Sequence, residues 1–165
     1  MSSNFFAKIF LYLLGIRSAG FPDVVNSDLS EEAVAKARRI FAADSRHLVF
    51  VQDDALKSQF DDATFDVILD KGCLDAICFF TEPKAKNVAV FLAEVTRLLR
   101  PGGKYLYITS SSHGESCLPL FMTALGQFEG VLEPLEEGLE IAEAHVCAQF
   151  PEKVLMHVVG RCGGA

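Results

Sequence analysis

Residues 65–76 read FDVILDKGCLDA, and this stretch decides the fold. Its first half is an apolar run of the kind that forms a buried strand, and the run ends abruptly at Asp70, Lys71 and Gly72. A second acid follows at Asp75. In an open α/β sheet, ligands bind beyond the carboxyl ends of the strands. The stretch therefore predicts a strand at 65–70 that delivers a carboxylate and an ammonium to one candidate site.

Strand and helix patterns alternate on both sides of this segment. Ser30 or Asp28 is a suitable N-cap for a helix over 30–41, and the glycines of RPGG (100–103) end a second helix over 87–99. The alternation predicts a parallel sheet covered by helices, with an antiparallel pair at one edge, in a single domain spanning 1–165. The remaining elements that the pattern predicts are strands at 23–28, 47–52 and 104–109, a helix within 116–128, and a terminal hairpin over 139–162 with strands at 139–149 and 153–162.

Composition and charge exclude several classes of function. The chain has 165 residues, is 50% hydrophobic and carries a formal net charge of −7, which argues against disorder and against nucleic-acid binding. Eight glutamates follow Tyr105, against Lys153 and Arg161 as the bases of that region, so the C-terminal part is either a solvated acidic face or a docking surface for a basic partner.

Cysteine usage indicates a reducing environment. The five cysteines form no CxxC pair and no metal-ligand spacing with the four dispersed histidines, so neither a disulfide framework nor a metal site is expected. The apolar stretch at 4–17, interrupted by Lys8, is too short to span a membrane and predicts a helix buried against a sheet. The small residues at 18–20 leave a weak signal peptide as the alternative. The thiol-rich remainder favours a cytoplasmic protein.

Acidic residues follow three of the predicted strands. They are Asp28, the pair Asp53 and Asp54, and Asp70. A carboxylate at such a strand end can accept hydrogen bonds from both ribose hydroxyls of a nucleotide-like cofactor, and an acid after the next strand can receive an adenine amine. Taken one at a time, a helix cap at Asp28 and a solvated loop at Asp53 and Asp54 are the simpler interpretations. The repetition at matched positions favours a cofactor site.

Four segments together resemble the seven-stranded, Rossmann-like S-adenosylmethionine-dependent methyltransferases. They are DVVNSDLSEEAV, FVQDDAL, FDVILDKGCLDAI and EVTRLLRPGGKYLYIT, and the likeness runs from about 21 to 109. The Asp-Lys-Gly-x-Leu-Asp segment is similar to the methyltransferase-like branch that includes lysine methyltransferases of translation elongation factor 1A. The resemblance implies S-adenosylmethionine as cofactor and an elongation-factor-like protein as substrate. It implies catalytic roles for Asp70 and Lys71, and cofactor binding by Asp28, Leu29, Asp54, Ala55, Asp70 and Gly72.

Methyl transfer to a lysine explains why a carboxylate and an ammonium would meet at 70–71. The acceptor amine must lose a proton before it reacts, and a carboxylate such as Asp70 can orient it. Positive charge from Lys71 lowers the pKa of a neighbouring ammonium, and Gly72 allows a close approach of the backbone. The alternative is structural: Asp70 or Asp75 pairs with Lys71 and caps the helix that follows.

The sequence departs from the family before residue 21. Members begin with a strand and a glycine-rich loop, whereas Gly15 and Gly20 stand too close to the strand at 23–28 for a parallel crossover. We interpret 4–17 as the helix that follows this loop, so that the first strand and the loop are missing. Loss of a central strand would expose two sheet edges through which the chain could self-associate. The alternatives to an active lysine methyltransferase are a non-catalytic interaction module of the same fold and a nucleotide-dependent oxidoreductase.

Overall fold

A computed structural model describes residues 23–44, 48–140 and 154–162. The strands in these ranges are β1 (Val24–Asp28), β2 (Leu48–Gln52), β3 (Phe65–Lys71), β4 (Leu99–Ser110), β5 (Leu132–Glu140) and β6 (Val154–Arg161). The helices are α1 (Glu31–Ile40), α2 (Cys73–Phe80), α3 (Lys84–Leu98) and α4 (Ser111–Leu125). Single 3-10 turns lie at Ala42–Asp44 and Gly126–Phe128. The chain forms two compact units that divide between Ala55 and Leu56.

The first unit contains β1, α1 and β2. The two strands pair in parallel, from Val24 opposite Leu48 to Asp28 opposite Gln52. Ser30 caps α1, because its hydroxyl accepts a hydrogen bond from the Ala33 amide at 3.2 Å. One face of α1 packs on the strands, and the buried residues of this core are Val34, Ala37, Phe41, Leu48 and Phe50.

The second unit is a mixed sheet in the order β3-β4-β6-β5. β3 and β4 are parallel, whereas β6 pairs antiparallel with both β4 and β5. The helices α2, α3 and α4 contact one another. Two fully buried tyrosines of β4, Tyr105 and Tyr107, both contact the ring of Phe121 on α4, at centroid distances of 6.4 and 5.7 Å. The β4 tyrosines therefore lie at the centre of this core.

A loop before β3 is fixed by one arginine of α3. The guanidinium of Arg97 donates to the backbone carbonyls of Phe60 and Ser58 at 2.7 and 3.1 Å and to the carboxylate of Asp62 at 2.8 Å. It also pairs with Glu94 at 2.9 Å, and that carboxylate accepts from the Ser58 amide at 3.0 Å. The loop is therefore held by side-chain contacts rather than by strand pairing.

Most predicted elements are confirmed, with corrections to the sheet, to β5 and to β4, which begins at Leu99 rather than at 104 and so includes the RPGG segment. The parallel pairing of β1 with β2 and of β3 with β4 occurs as expected, and the apolar faces of α1 and α3 are buried. The described strands nevertheless form two sheets instead of the single sheet expected, because β1 pairs with β2 alone and β3 with β4 alone among them. The closing antiparallel pair exists, but its first strand begins at Leu132 rather than at 139.

The sequence of β5 is unusual for a strand. The segment LEPLEEGLE contains a proline, a glycine and four glutamates, all of which are depleted in strands. The register shifts around Pro134 and Glu136 show how the sheet accommodates them. The predicted helix at 4–17 and the predicted strand residues 141–149 lie outside the described residues. The prediction of one domain over 1–165 stays a prediction, as does the missing first strand.

In the part of the chain that the structure describes, every helix falls short of the length and apolar character needed to cross a membrane.

Candidate active site

Asp70 links the end of β3 to the start of α2. It is 5% exposed, and its two carboxylate oxygens accept hydrogen bonds from the Cys73 amide at 2.7 Å and the Leu74 amide at 3.0 Å. The hydroxyl of Tyr105 donates to the same carboxylate at 2.8 Å. These amides are two of the unpaired donors at the N-terminus of the helix, so Asp70 serves as its cap from within the strand. Capping of this helix by Asp70 is part of the structural alternative that the sequence left open.

Gly72 makes this connection possible through its backbone conformation. Its φ is +87°, in the left-handed region that favours glycine. A Cβ at this position would meet no atom of the protein within 4 Å, so the positive φ is the reason for a glycine within the protein itself, and the close backbone approach expected at the reacting site stays a prediction. The half-buried Lys71 is the last residue of β3. It lies between Asp70 and Gly72, where the chain turns into α2 and where Asp70 is bonded to the Cys73 amide.

Asp75 forms a second buried carboxylate site on α2. Its carboxylate accepts hydrogen bonds from the hydroxyl of Tyr107 and from that of Thr109, the latter at 3.0 and 3.1 Å. Asp75 is 9% exposed and Thr109 is 3% exposed. Three hydroxyl-bearing residues of β4, spaced two apart on one face of the strand, thus bind the two acids of the DKGCLD segment.

Burial changes the protonation of Asp70. Removal from water raises the pKa of its carboxyl to about 6, against the lowering effect of the bonds from Tyr105 and from the Cys73 and Leu74 amides. The nearby Asp75 carboxylate adds to the increase. Burial likewise raises the pKa of both tyrosine hydroxyls well above the usual value, so they remain donors at neutral pH. Asp70 is therefore a carboxyl group that can change its charge within a mildly acidic range.

Two thiols lie close to this cluster. Cys78 on α2 and Cys117 on α4 are both buried and hydrogen-bonded to each other, and burial raises the pKa of each. They are free thiols, as are Cys73 and Cys162. Thiols with raised pKa values are poor nucleophiles, so we assign no chemistry to this pair. Among the described residues, no three His, Cys, Asp or Glu side chains are arranged to hold a metal ion.

The first unit brings together the predicted residues that follow β1 and β2. One carboxylate oxygen of Asp28 accepts from the Ser30 amide at 2.8 Å, and the Asp28 carbonyl accepts from the Asp53 amide at 3.1 Å. The Gln52 side chain donates to the Leu29 carbonyl at 3.2 Å. The side chain of Leu29 is 68% exposed beside the exposed Asp28 carboxylate. An exposed carboxylate next to an exposed apolar side chain fits the ribose and the base of a nucleoside.

The acids after β2 have different environments. Asp53 is buried, at 7% exposure, whereas Asp54 is exposed and Ala55 is half-buried. Asp54 is therefore accessible to solvent, and its position at the adenine stays a prediction. The glycine-rich loop of the family, which would hold the methionine end of the cofactor, corresponds to no described segment.

Sequence reasoning missed the three β4 residues that organise the second unit. Tyr105, Tyr107 and Thr109 were read only as part of a strand, KYLYIT. The signal was present: hydroxyl groups recur at every second position of an otherwise apolar strand, which places them on one face. A buried hydroxyl requires a partner, and the acids of the preceding motif were the available acceptors.

Parallel strands joined through helices place this chain in the Rossmann-like α/β class, and its carboxylates lie at the strand ends beyond which ligands bind in such sheets. The family described as "Methyltransferase domain" matches residues 9–107, well over half of the chain. The protein belongs to this family. The resemblance to seven-stranded S-adenosylmethionine-dependent methyltransferases is thereby confirmed.

Two mouse proteins show which branch the chain is similar to. It is 40% identical over 91 residues to the "eEF1A lysine and N-terminal methyltransferase" of Mus musculus, a match that covers 54% of this chain and 13% of that protein. It is 37% identical over 100 residues to the mouse "EEF1A lysine methyltransferase 4", covering 56% of this chain and 38% of that protein. The chain thus spans a small part of the first relative and less than half of the second.

A solved structure supports the fold. The TehB-like SAM-dependent methyltransferase from Corynebacterium glutamicum matches with a TM-score of 0.57 at 19% identity, over 84% of this chain and 68% of that one. At this level of identity the likeness concerns the fold alone, and it confirms the Rossmann-like α/β class.

Proposed function

We propose that this chain carries an S-adenosylmethionine-dependent methyltransferase activity directed at a lysine of a cytoplasmic protein related to translation elongation factor 1A. The observation that carries the proposal is the 40% identity over 91 residues to a methyltransferase named for that substrate. The match to the methyltransferase-domain family over residues 9–107 includes the segments that hold all the proposed site residues.

The cofactor side of the proposal rests on the first unit. The exposed carboxylate of Asp28 is suited to accept hydrogen bonds from the two ribose hydroxyls, and the exposed Leu29 side chain offers an apolar surface beside it. We assign Asp54 and Ala55 to the adenine. When bound, S-adenosylmethionine supplies a methyl group activated by a sulfonium.

The acceptor side rests on the Asp70–Gly72 turn. Because the Asp70 carboxylate already accepts three hydrogen bonds, we assign it the role of fixing the turn, in addition to any direct contact with the amine. Lys71 supplies positive charge that favours the neutral, reactive form of the acceptor lysine. Transfer forms a carbon–nitrogen bond at this amine and breaks the methyl–sulfur bond, and the proton lost from the amine passes to water.

The test combines methyl transfer with cofactor binding. The purified chain is incubated with radiolabelled S-adenosylmethionine and recombinant elongation factor 1A that carries no methylation, and labelled lysine is located by peptide mapping. Calorimetry measures the affinity for the cofactor in parallel. Asp28→Ala should lower the affinity about ten- to a hundredfold, since a charge-assisted hydrogen bond contributes about 1.5–3 kcal/mol.

A matched control is Asp61→Ala, which removes an exposed carboxylate from the loop before β3. It should leave both affinity and labelling unchanged. If Asp28→Ala binds the cofactor like the wild type, Asp28 does not belong to the site. A folded wild-type chain that binds the cofactor but labels no lysine would reject the proposed activity in favour of a non-catalytic module.

A further inference from the structure

We propose that Tyr105, Tyr107 and Thr109 of β4 are positioning residues for the methyl-transfer site, because their hydroxyls hold the two acids that fix the turn carrying Lys71. This inference rests on the proposed function for its meaning in catalysis. The restraint of the Asp70–Gly72 turn by β4 can be measured without any methyl transfer.

The first step of the argument is the spacing on β4. Tyr105, Tyr107 and Thr109 occupy alternate positions, so their side chains lie on one face of the strand. They are 0, 0 and 3% exposed. Each hydroxyl donates to a carboxylate, either that of Asp70 near the end of β3 or that of Asp75 in the first turn of α2. A strand that served packing alone would carry apolar side chains on this face, as β4 does at other positions.

The second step is the cost of the arrangement. Two carboxyl groups five residues apart, Asp70 and Asp75, are removed from water, and in the described part of the chain the hydrogen bonds that they accept come from amide and hydroxyl groups. Burial without a compensating cation is unfavourable, and hydroxyl and amide donors offset it in part. Buried ionisable groups that packing alone would not favour are characteristic of functional sites.

The third step is what the contacts restrain. Asp70 is bonded to β4 through Tyr105 and to α2 through the Cys73 and Leu74 amides. Asp75 is bonded from α2 back to β4. The two acids thus bracket Lys71 and Gly72 on both sides of the turn. Since small displacements of a reacting group reduce rates strongly, a strand that fixes this turn would set the position of the acceptor site.

The variants remove single hydroxyls and keep the shape of the side chain. Tyr105→Phe deletes the donor to Asp70 and leaves the ring to contact Phe91 and Phe121. Thr109→Val deletes the donor to Asp75, and Thr109→Ser restores a hydroxyl at the same position. Thr96→Val is the matched control, because its hydroxyl bonds only within α3, to the Leu92 carbonyl at 2.7 Å.

Two measurements test the restraint on the free protein. The pKa of the Asp70 carboxyl, followed by its carbon chemical shift, should rise above about 6 in Tyr105→Phe, since the lost hydrogen bond stabilised the charged form. Hydrogen exchange of the Cys73 and Leu74 amides should accelerate about ten- to a hundredfold, as expected for loss of one hydrogen bond to a charged group. Thr96→Val should change neither value.

The kinetic measurement tests the role in catalysis. In Tyr105→Phe and Thr109→Val, kcat for methyl transfer should fall about ten- to a hundredfold with little change in KM for the cofactor, and Thr109→Ser should recover most of the loss.

The inference is overturned if Tyr105→Phe leaves the Asp70 pKa and the two amides unchanged. It is equally overturned if these respond while kcat in both variants equals that of the wild type. A wild-type chain without methyl transfer defeats the proposed function and, with it, the catalytic part of this inference. The pKa and exchange measurements would still decide whether β4 restrains the turn.

Discussion

At the scale of single residues, the carboxyl group of Asp70 lies in an environment that disfavours its charged form. Burial raises the pKa of this carboxyl from 3.8 to about 6. The surrounding titratable groups are those of Asp75, Cys73 and Cys78 on α2 and of Tyr105 and Tyr107 on β4. Tyrosine and cysteine titrate at higher pH, so the shifted Asp70 carboxyl is the group considered in the acidic range.

The pH dependence of stability follows with a definite sign. Because the folded pKa lies above the unfolded one, the folded state binds more protons between pH 3.8 and about 6, and stability falls as pH rises through this window. Relative to Asp70→Asn, the wild type should lose about 2 kcal/mol of unfolding free energy between about pH 4 and pH 7. Urea unfolding at several pH values measures this difference.

The control for this experiment is an exposed acid of the same unit. Asp61→Asn removes a carboxyl group that lies at the surface, and it controls for the loss of one negative charge. Parallel profiles for Asp70→Asn and the wild type would show instead that Asp70 titrates normally in the folded protein.

At the scale of elements, Arg97 of α3 makes most of the side-chain contacts that fix the loop before β3. Arg97 is 29% exposed and donates to two backbone carbonyls as well as to Glu94 and Asp62. Lysine lacks the planar set of donors needed for these simultaneous contacts. Arg97→Lys should therefore lower the unfolding free energy by about 1–3 kcal/mol, measured by urea denaturation.

Arg100 provides the comparison within the same region. One nitrogen of its guanidinium donates to both carboxylate oxygens of Asp66 at 2.7 and 2.8 Å, and another donates to the single backbone carbonyl of Ala63 at 3.2 Å, but the side chains of Arg100 and Asp66 are largely exposed, at 52 and 76%. Exposed pairs contribute little, so Arg100→Lys should cost less than about 1 kcal/mol. Equal losses for the two variants would mean that the backbone contacts of Arg97 do not stabilise the loop.

The elements themselves could be predicted from local patterns. Periodicity located β1 to β4 and the buried faces of α1 and α3, because each of these segments packs in the way that its own sequence indicates. β5 could not be located correctly, because its glutamates, glycine and proline suit a loop and its pairing with β6 depends on a distant part of the chain.

The acidic residues of the candidate site could be proposed from the sequence, whereas their hydrogen-bond partners could not. Asp28, Asp54 and Asp70 were found because they end strands, which is a local property. Asp70 caps α2 and also accepts a hydrogen bond from Tyr105, which is 35 residues away. This arrangement depends on the register of β3 against β4. A register of this kind is set by tertiary packing, so the sequence left the capping and catalytic interpretations of Asp70 side by side.

At the scale of the whole molecule, the two compact units have cores of different size. Among the described residues, the first unit buries five apolar side chains in its core, with Phe41 stacked on Phe50 at a centroid distance of 5.3 Å. The second buries a larger set, of which the most enclosed are Tyr105, Tyr107, Phe121, Leu74, Leu92, Leu99, Val88, Val159 and Cys117. Since stability scales with buried apolar area, the second unit should resist local opening more strongly.

Native-state hydrogen exchange can measure this difference in the intact chain. The amides of β2 should exchange through an opening whose free energy is at least about 1 kcal/mol below that of the β4 amides, because fewer apolar contacts are lost when the first unit opens. In low concentrations of denaturant, the opening free energies of the β2 and β4 amides should fall with different slopes, since the slope depends on the surface area exposed by opening. Phe41→Leu, which removes the ring stacked on Phe50, should accelerate exchange in β2 and leave β4 unchanged. A single opening free energy and a single slope for both strands would contradict this expectation and show that the chain opens as one cooperative body.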